Sequence, residues 1–189
     1  RPTRHAGRGG VGAVMGSKGV KAIVLDDAEM KMRPPKDPEK FKAANKAFVA
    51  GLKKHPVTGE GLPAFGTNVL TNVLSEAGGY PTRNFSSGQF DGAGKISGET
   101  HAALENERGG EGSATHGCHR GCVIRCSGTF YDKNGNFLTK QPEYETVWSH
   151  GGNCGIDDLD AIALMDRMDD DFGLDTIEMG ATIAVAMEG

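Results

Sequence analysis

Apolar residues recur at Phe41, Ala44, Ala47, Phe48 and Leu52, the spacing that puts side chains on one face of an α-helix. Asp37 precedes them as an N-cap able to accept from open backbone amides, and Pro38 takes the first helical position, where its missing N–H costs nothing. The pattern predicts an amphipathic helix of about four turns. A second helix is expected over Thr67 to Ala77, stopped by Gly78-Gly79 and then Pro81, whereas Tyr80 to Gly98 is rich in Gly, Ser and Asn and reads as irregular. Thr129-Phe130-Tyr131 and Asn136-Phe137-Leu138 flank Asp132-Lys133-Asn134-Gly135, a hairpin signal because Asn-Gly favours the positive backbone angles of a tight turn. Asp157 or Asp158 should cap a helix running to about Asp171, and Asp175 or Thr176 should start another, with Gly173 closing the corner between them. Near the start, Lys21-Ala22-Ile23-Val24-Leu25 reads as an apolar strand, and Pro34, Pro35 and Pro38 mark a linker, because proline removes backbone donors.

Composition narrows the class. The 189 residues carry 25 acidic and 21 basic side chains, a net charge of −4, which leaves no electrostatic footprint for nucleic acid. Basic residues gather only at Arg1, Arg4 and Arg8. No stretch approaches the roughly 20 apolar residues that span a bilayer, and no signal peptide is visible, so a cytoplasmic location without membrane contact is expected. The chain opens on Arg1 rather than methionine and its last residues read as an unfinished helix, so a piece of a longer protein is expected.

Of the four cysteines, Cys118, Cys122 and Cys126 lie within nine residues as C-x3-C-x3-C. Disulfides across such tight loops are disfavoured, and thiolates converging from one short loop suit an iron-sulfur cluster or zinc, with His116 and His119 nearby. Inert buried thiols are the bland alternative. Gly7, Gly9 and Gly12 match G-x-G-x-x-G, yet Arg1 to Ala6 is a poor strand for a dinucleotide fold. The glycines can instead bring backbone amides to an anion, with Arg4 and Arg8 neutralising phosphate, or can simply form a tight turn. Glu143 and Glu145, read as one face of an extended segment, are candidates for proton transfer or a solvated pair. The acidic run from Asp166 through Asp171 meets a helix C-terminus, where the dipole disfavours carboxylates, so solvent or a polar ligand must hold that charge.

Arg4 to Lys18, the cysteine loop, Pro142 to Thr146, Asn153 to Leu159 and Asp170-Asp171-Phe172-Gly173-Leu174-Asp175 together resemble, in order, the tungsten-dependent and sometimes molybdenum-dependent aldehyde:ferredoxin oxidoreductase family. The resemblance implies an α+β fold, with residues 1–26 as the end of a β-rich pterin-binding domain, 27–36 as a linker, and 37–189 as the first part of a mainly α-helical middle domain with one small β-hairpin. It implies a bis-pterin centre whose phosphates, with a bridging Mg2+, meet Arg4, Ala6, Gly7, Arg8, Gly9 and Gly10. The pterin edge would meet Asp170, Gly173, Leu174 and Asp175. Cys118, Cys122 and Cys126 would supply three ligands of a [4Fe-4S] cluster, on a loop one residue longer between Cys118 and Cys122 than the family's C-x2-C-x3-C. The fourth ligand and a catalytic histidine are expected beyond residue 189. Glu145 would be the glutamate near the metal, with Glu143 as the alternative. The partners implied are an aldehyde and ferredoxin or another electron-transfer protein, with a possible homodimer. Leu164-Met165-Asp166-Arg167 stands where some members hold an interfacial iron, so no such iron is expected here. Reduction of an aromatic acyl-thioester is the rival reaction within the family, and a non-catalytic zinc or iron-sulfur relay module is the rival outside it.

Overall fold

The computed structural model describes residues 4–108 and 116–189; Arg1, one of the three arginines clustered at the start, lies outside the described residues. A 3-10 turn, Arg8–Gly10, runs into helix α1 (Val11–Ser17). The expected strand at residues 21–25 does not form: the segment has no ladder partner among the described residues, and Ile23, Val24 and Leu25 are exposed. A strand requires a neighbouring edge for its amides and carbonyls, and that requirement is invisible in an apolar run.

Helix α2 (Pro38–Lys54) begins as expected, with the Asp37 carboxylate accepting from Lys40 N–H at 3.0 Å and Pro38 in the first turn. Its apolar face buries nothing among the described residues, since Phe41 and Phe48 are 60% and 66% exposed. Short helix α3 (Leu62–Phe65) and a 3-10 turn at Gly66–Val69 lead into α4 (Leu70–Glu76), so the second expected helix is present but divided by a change of winding. Helix α5 (Gly98–Glu107), which periodicity did not announce, is capped by Ser97, whose hydroxyl accepts from Thr100 N–H.

The hairpin forms as β1 (Thr129–Tyr131) and β2 (Phe137–Lys140), antiparallel, with a register irregularity between Phe130 and Tyr131. Its turn is held by Asp132, whose Oδ1 accepts from the backbone N–H groups of Asn134 and Asn136, each at 2.8 Å, and only Gly135 takes a positive φ. The expected extended segment ends at Glu143, because Tyr144 opens α6 (Tyr144–Thr146), which continues in wider winding over Val147–Gly151. Glu145 therefore leaves the two-residue alternation that was expected to align it with Glu143. Two longer helices close the chain, α7 (Leu159–Phe172), capped by Asp158, and α8 (Thr176–Glu188), capped by Asp175.

The described residues, mainly helical with one two-stranded sheet, are α+β, as the resemblance implied. The core draws Tyr80, Phe90, Ala93 and Ile96 from the irregular stretch, Phe130 from β1, Val147 from the wide helix, and Leu159, Ile162 and Ala163 from α7. Helix α8 lies directly on the 147–151 segment at Gly180, where an added Cβ would come within 2.6 Å of Ser149. This packing sets the α7–α8 corner beside the start of α6, and the hairpin brings the end of β2 to the same place.

Candidate functional site

A cavity of about 390 Å3 opens where four parts of the chain meet. Arg4, Gly7 and Arg8 come from the N-terminal segment, Lys140 from β2, Glu143 and Glu145 from the start of α6, and Asp166, Asp170, Leu174 and Asp175 from the α7–α8 corner. Of the residues singled out from sequence, Arg4, Gly7, Arg8, Glu143, Glu145, Asp170, Leu174 and Asp175 line it together; Ala6, Gly9, Gly10 and Gly173 do not. Gly9 and Gly10 instead take left-handed angles that turn the chain into α1, and Gly173 is the left-handed residue that ends α7.

Basic side chains and histidine rings hold the acidic run. Lys140 Nζ reaches Asp166 Oδ1 at 2.9 Å and Oδ2 at 2.8 Å, and also Asp170 Oδ2 at 2.8 Å. His5 spans the corner, with Nδ1 2.7 Å from Asp170 Oδ1 and Nε2 donating to the Leu174 carbonyl at 2.6 Å. His150 Nε2 lies 2.8 Å from Asp169 Oδ2, and Arg167 pairs with Asp171 one helical turn on. Burial pushes the Asp166 carboxyl above the ordinary carboxylate range, with Lys140 opposing the rise. The run at the helix C-terminus is thus met by His5, Lys140 and His150 from elsewhere in the chain and by Arg167 on the same helix, where the sequence had suggested solvent or a ligand.

Gly7 is needed by contact rather than by backbone angle. An added Cβ would stand 2.7 Å from the His5 ring and 3.0 Å from the Leu174 carbonyl, so the N-terminal segment could not lie this close to the corner with a larger residue. Arg4 continues the docking: its guanidinium lies 3.4 Å from Glu143 Oε1 and donates to the Ser127 hydroxyl. Glu143 is further fixed by Thr67, whose hydroxyl donates to Oε2 at 2.8 Å. Glu145 has no such tether, lining the cavity without a hydrogen bond to any described residue.

Ser127 also marks the end of the cysteine loop. An antiparallel bridge between His116 and Ser127, with N–H···O distances of 2.7 and 3.1 Å, closes the loop at its base. Cys118 is exposed, and Cys122 and Cys126 are partly buried. The Arg125 N–H points at Cys122 Sγ at 3.4 Å, and that donor lowers the thiol's pKa. Cys126, nearer the Glu143 carboxylate, is pushed up, first by burial and then by that charge. Cys154, the remaining cysteine, is buried away from the loop, its thiol donating to the Ser149 and Gly180 carbonyls.

His5, Lys140, Thr146 and Thr176 also line the cavity and were not singled out, and Asp166 lines it as a member of the acidic run rather than as an expected cofactor ligand. The uncompensated charge at the end of α7 was the one available signal, since it required a cation from elsewhere. It could not say that the cation is Lys140.

Residues 43–189 match the family description "Aldehyde ferredoxin oxidoreductase, domains 2 & 3", and residues 1–27 match "Aldehyde ferredoxin oxidoreductase, N-terminal domain". The chain is 43% identical over 185 residues to a tungsten-containing aldehyde ferredoxin oxidoreductase of Thermococcus kodakarensis, and 44% identical over 190 residues to one of Pyrococcus abyssi. Each alignment covers 98% of this chain and 29% of the relative. A more distant similarity, 28% identity over 187 residues, covers 97% of this chain and 28% of an aliphatic sulfonate oxidoreductase, WOR-like subunit, of Pyrococcus furiosus. The chain therefore spans less than a third of the length of these relatives.

Proposed function

The chain belongs to the aldehyde ferredoxin oxidoreductase family, and on that premise we propose that it builds one wall of the metallopterin site of an enzyme oxidising an aldehyde to a carboxylic acid, with electrons passing through a [4Fe-4S] cluster to ferredoxin. The observation that carries this reading is the convergence of Arg4, Arg8, Glu145, Asp170 and Asp175 on one cavity that adjoins the cysteine loop through Arg4 and Ser127.

The residues fit the groups the family implies. Two guanidinium groups beside a close-packed glycine suit pterin phosphates and a Mg2+ between them, because arginine pairs with phosphate in bidentate geometry. Asp170 and Asp175 offer carboxylate acceptors to the N–H edge of a pterin ring. Three thiols on a closed loop, with a backbone N–H directed at one sulfur, would supply three of the four ligands of a cluster. Residues 1–26 would then close a neighbouring pterin-binding domain, and 37–189 would begin the helical one.

A tungsten or molybdenum bis-pterin, when bound, supplies two-electron chemistry at the substrate carbon, and the cluster supplies a one-electron outlet. The chain's own part is to position and to move a proton. Lys140 and His5 each take one oxygen of Asp170, so this nearly buried carboxylate is fixed in orientation and would meet a pterin edge only through its remaining lone pairs, leaving Asp175 as the more open acceptor. Arg4 and Thr67 occupy both oxygens of Glu143, which assigns it to docking the N-terminal segment. Glu145, untethered at the cavity wall, is the carboxylate free to take or return a proton as the aldehyde becomes an acid.

The test is Glu145→Gln in the full-length holoenzyme. Tungsten and pterin content should stay at the native level while aldehyde oxidation falls by about 10²- to 10⁴-fold, the usual contribution of a general acid–base group. An undiminished rate with full cofactor content would remove Glu145 from the reaction.

A further inference from the structure

The cysteine loop carries a second donor set that differs from its three thiols. Cys118, His119 and Cys122 each present one ligand atom, and the three atoms lie within 4.8 Å of one another. Ligands on one tetrahedral zinc, with Zn–S about 2.3 Å and Zn–N about 2.0 Å, stand roughly 3.5–3.8 Å apart. A small contraction of the loop therefore brings all three onto a single ion. Gly121, at φ +85°, forms the turn that folds Cys122 back toward Cys118.

His119 keeps one ring nitrogen available for an ion. Its Nδ1 lies 2.9 Å from the Arg120 carbonyl; a carbonyl only accepts, so Nδ1 carries the proton and the lone pair of the neutral ring falls on Nε2. Imidazoles that bind metals commonly donate the other ring N–H to a backbone carbonyl in this way. Cys122 Sγ has the Arg125 N–H directed at it, a donor suited to a sulfur that is anionic in the complex. Cys126, partly buried, is not one of this group.

We propose that the cluster-free loop binds one Zn2+ through Cys118 Sγ, Cys122 Sγ and the His119 ring, with water as the fourth ligand and without Cys126. Two thiolates balance the ion, so the neutral complex adds no charge beside Arg120 and Arg125. Cys118 and His119 are exposed, which gives the ion an entry path and leaves a coordination position to solvent. The site shares Cys118 and Cys122 with the cluster proposed above, so the two are mutually exclusive, and zinc on the loop keeps iron and sulfide out.

The full-length protein, made cluster-free by anaerobic iron chelation, is titrated with Zn2+, and with Co2+ as a spectroscopic substitute. One zinc per chain is expected, together with the intense visible bands of tetrahedral cobalt bearing thiolates. His119→Ala should weaken zinc binding at least about tenfold and alter the cobalt spectrum, yet recover native iron content on cluster reconstitution. Cys126→Ser should bind zinc with native affinity and lose cluster iron. The proposal is overturned by absence of stoichiometric zinc uptake, by unchanged zinc affinity in His119→Ala, or by an equal loss of zinc in Cys126→Ser. Native cluster iron in Cys126→Ser would instead overturn the cluster assignment and leave the zinc site standing.

Discussion

Lys140→Met removes the one cation that serves two buried carboxylates. The lysine side chain is 13% exposed, and those of Asp166 and Asp170 are 0% and 2% exposed, with contacts of 2.8–2.9 Å. Removing one partner of a buried ion pair costs about 3–5 kcal/mol, because the other charge stays uncompensated. Asp166 keeps the Thr139 hydroxyl at 3.0 Å and the Thr146 hydroxyl at 3.4 Å, and Asp170 keeps His5, so the lower end applies, about 3 kcal/mol. At about 2–4 °C per kcal/mol for a domain of this size, the melting temperature of the variant should fall by roughly 6–12 °C at neutral pH. The pH dependence gives a sharper check. Asp166 is already raised by burial with Lys140 present, so the folded state binds its proton more readily than the unfolded chain. Its ionisation therefore opposes folding as pH rises above the ordinary carboxylate value. Without the lysine the rise is larger, and the stability gap between native and variant should narrow on acidification toward that value. Chemical denaturation of both proteins across this range measures it. A gap below about 1 kcal/mol at neutral pH, the worth of a surface pair, or one that widens in acid, would refute the reasoning.

Gly7→Ala should leave the helical core intact and loosen the N-terminal segment, since its Cβ would meet the His5 ring at 2.7 Å and the Leu174 carbonyl at 3.0 Å; faster proteolysis before Arg8 with an unchanged melting transition checks this, and native protection would contradict it. His101, stacked on Phe130, is pushed down to about 4 by burial, from an ordinary value of 6.5. A depressed histidine contributes stability that is complete above 6.5 and is lost as pH falls toward 4, because the unfolded chain takes up the proton first. His101→Gln should flatten the stability profile over that window, and an unaltered slope would show that other groups control it.

Much of the local structure was written in short stretches of sequence. Asp37, Asp158 and Asp175 cap the helices they precede, Gly173 ends α7 in the left-handed conformation, and the Asp132–Gly135 turn joins two strands. Each depends on atoms a few residues apart, so residue type and spacing suffice. The ordered motifs likewise named the family, because several short patterns in one sequence are specific together. Other features depended on contacts made only after packing. The apolar run at 21–25 is exposed and the apolar face of α2 leaves Phe41 and Phe48 exposed, so their periodicity did not decide whether they would be buried. Helix α5 has a single capping signal and a weak apolar face, and it became legible only where the core receives it.

The same division runs through the site. Sequence alone determined which carboxylates, arginines, glycines and thiols were candidates, and that the acidic end of α7 needed compensation. The tertiary structure decided that the compensation is Lys140, 26 and 30 residues from Asp166 and Asp170, together with His5, 165 residues from Asp170. It also decided that Glu143 is tied down while Glu145 is not, and that His119 joins Cys118 and Cys122 in one close group of donor atoms. Charge pairing across such separations has no local signal. It is set by which surfaces the hydrophobic core brings together, and only the folded chain specifies that.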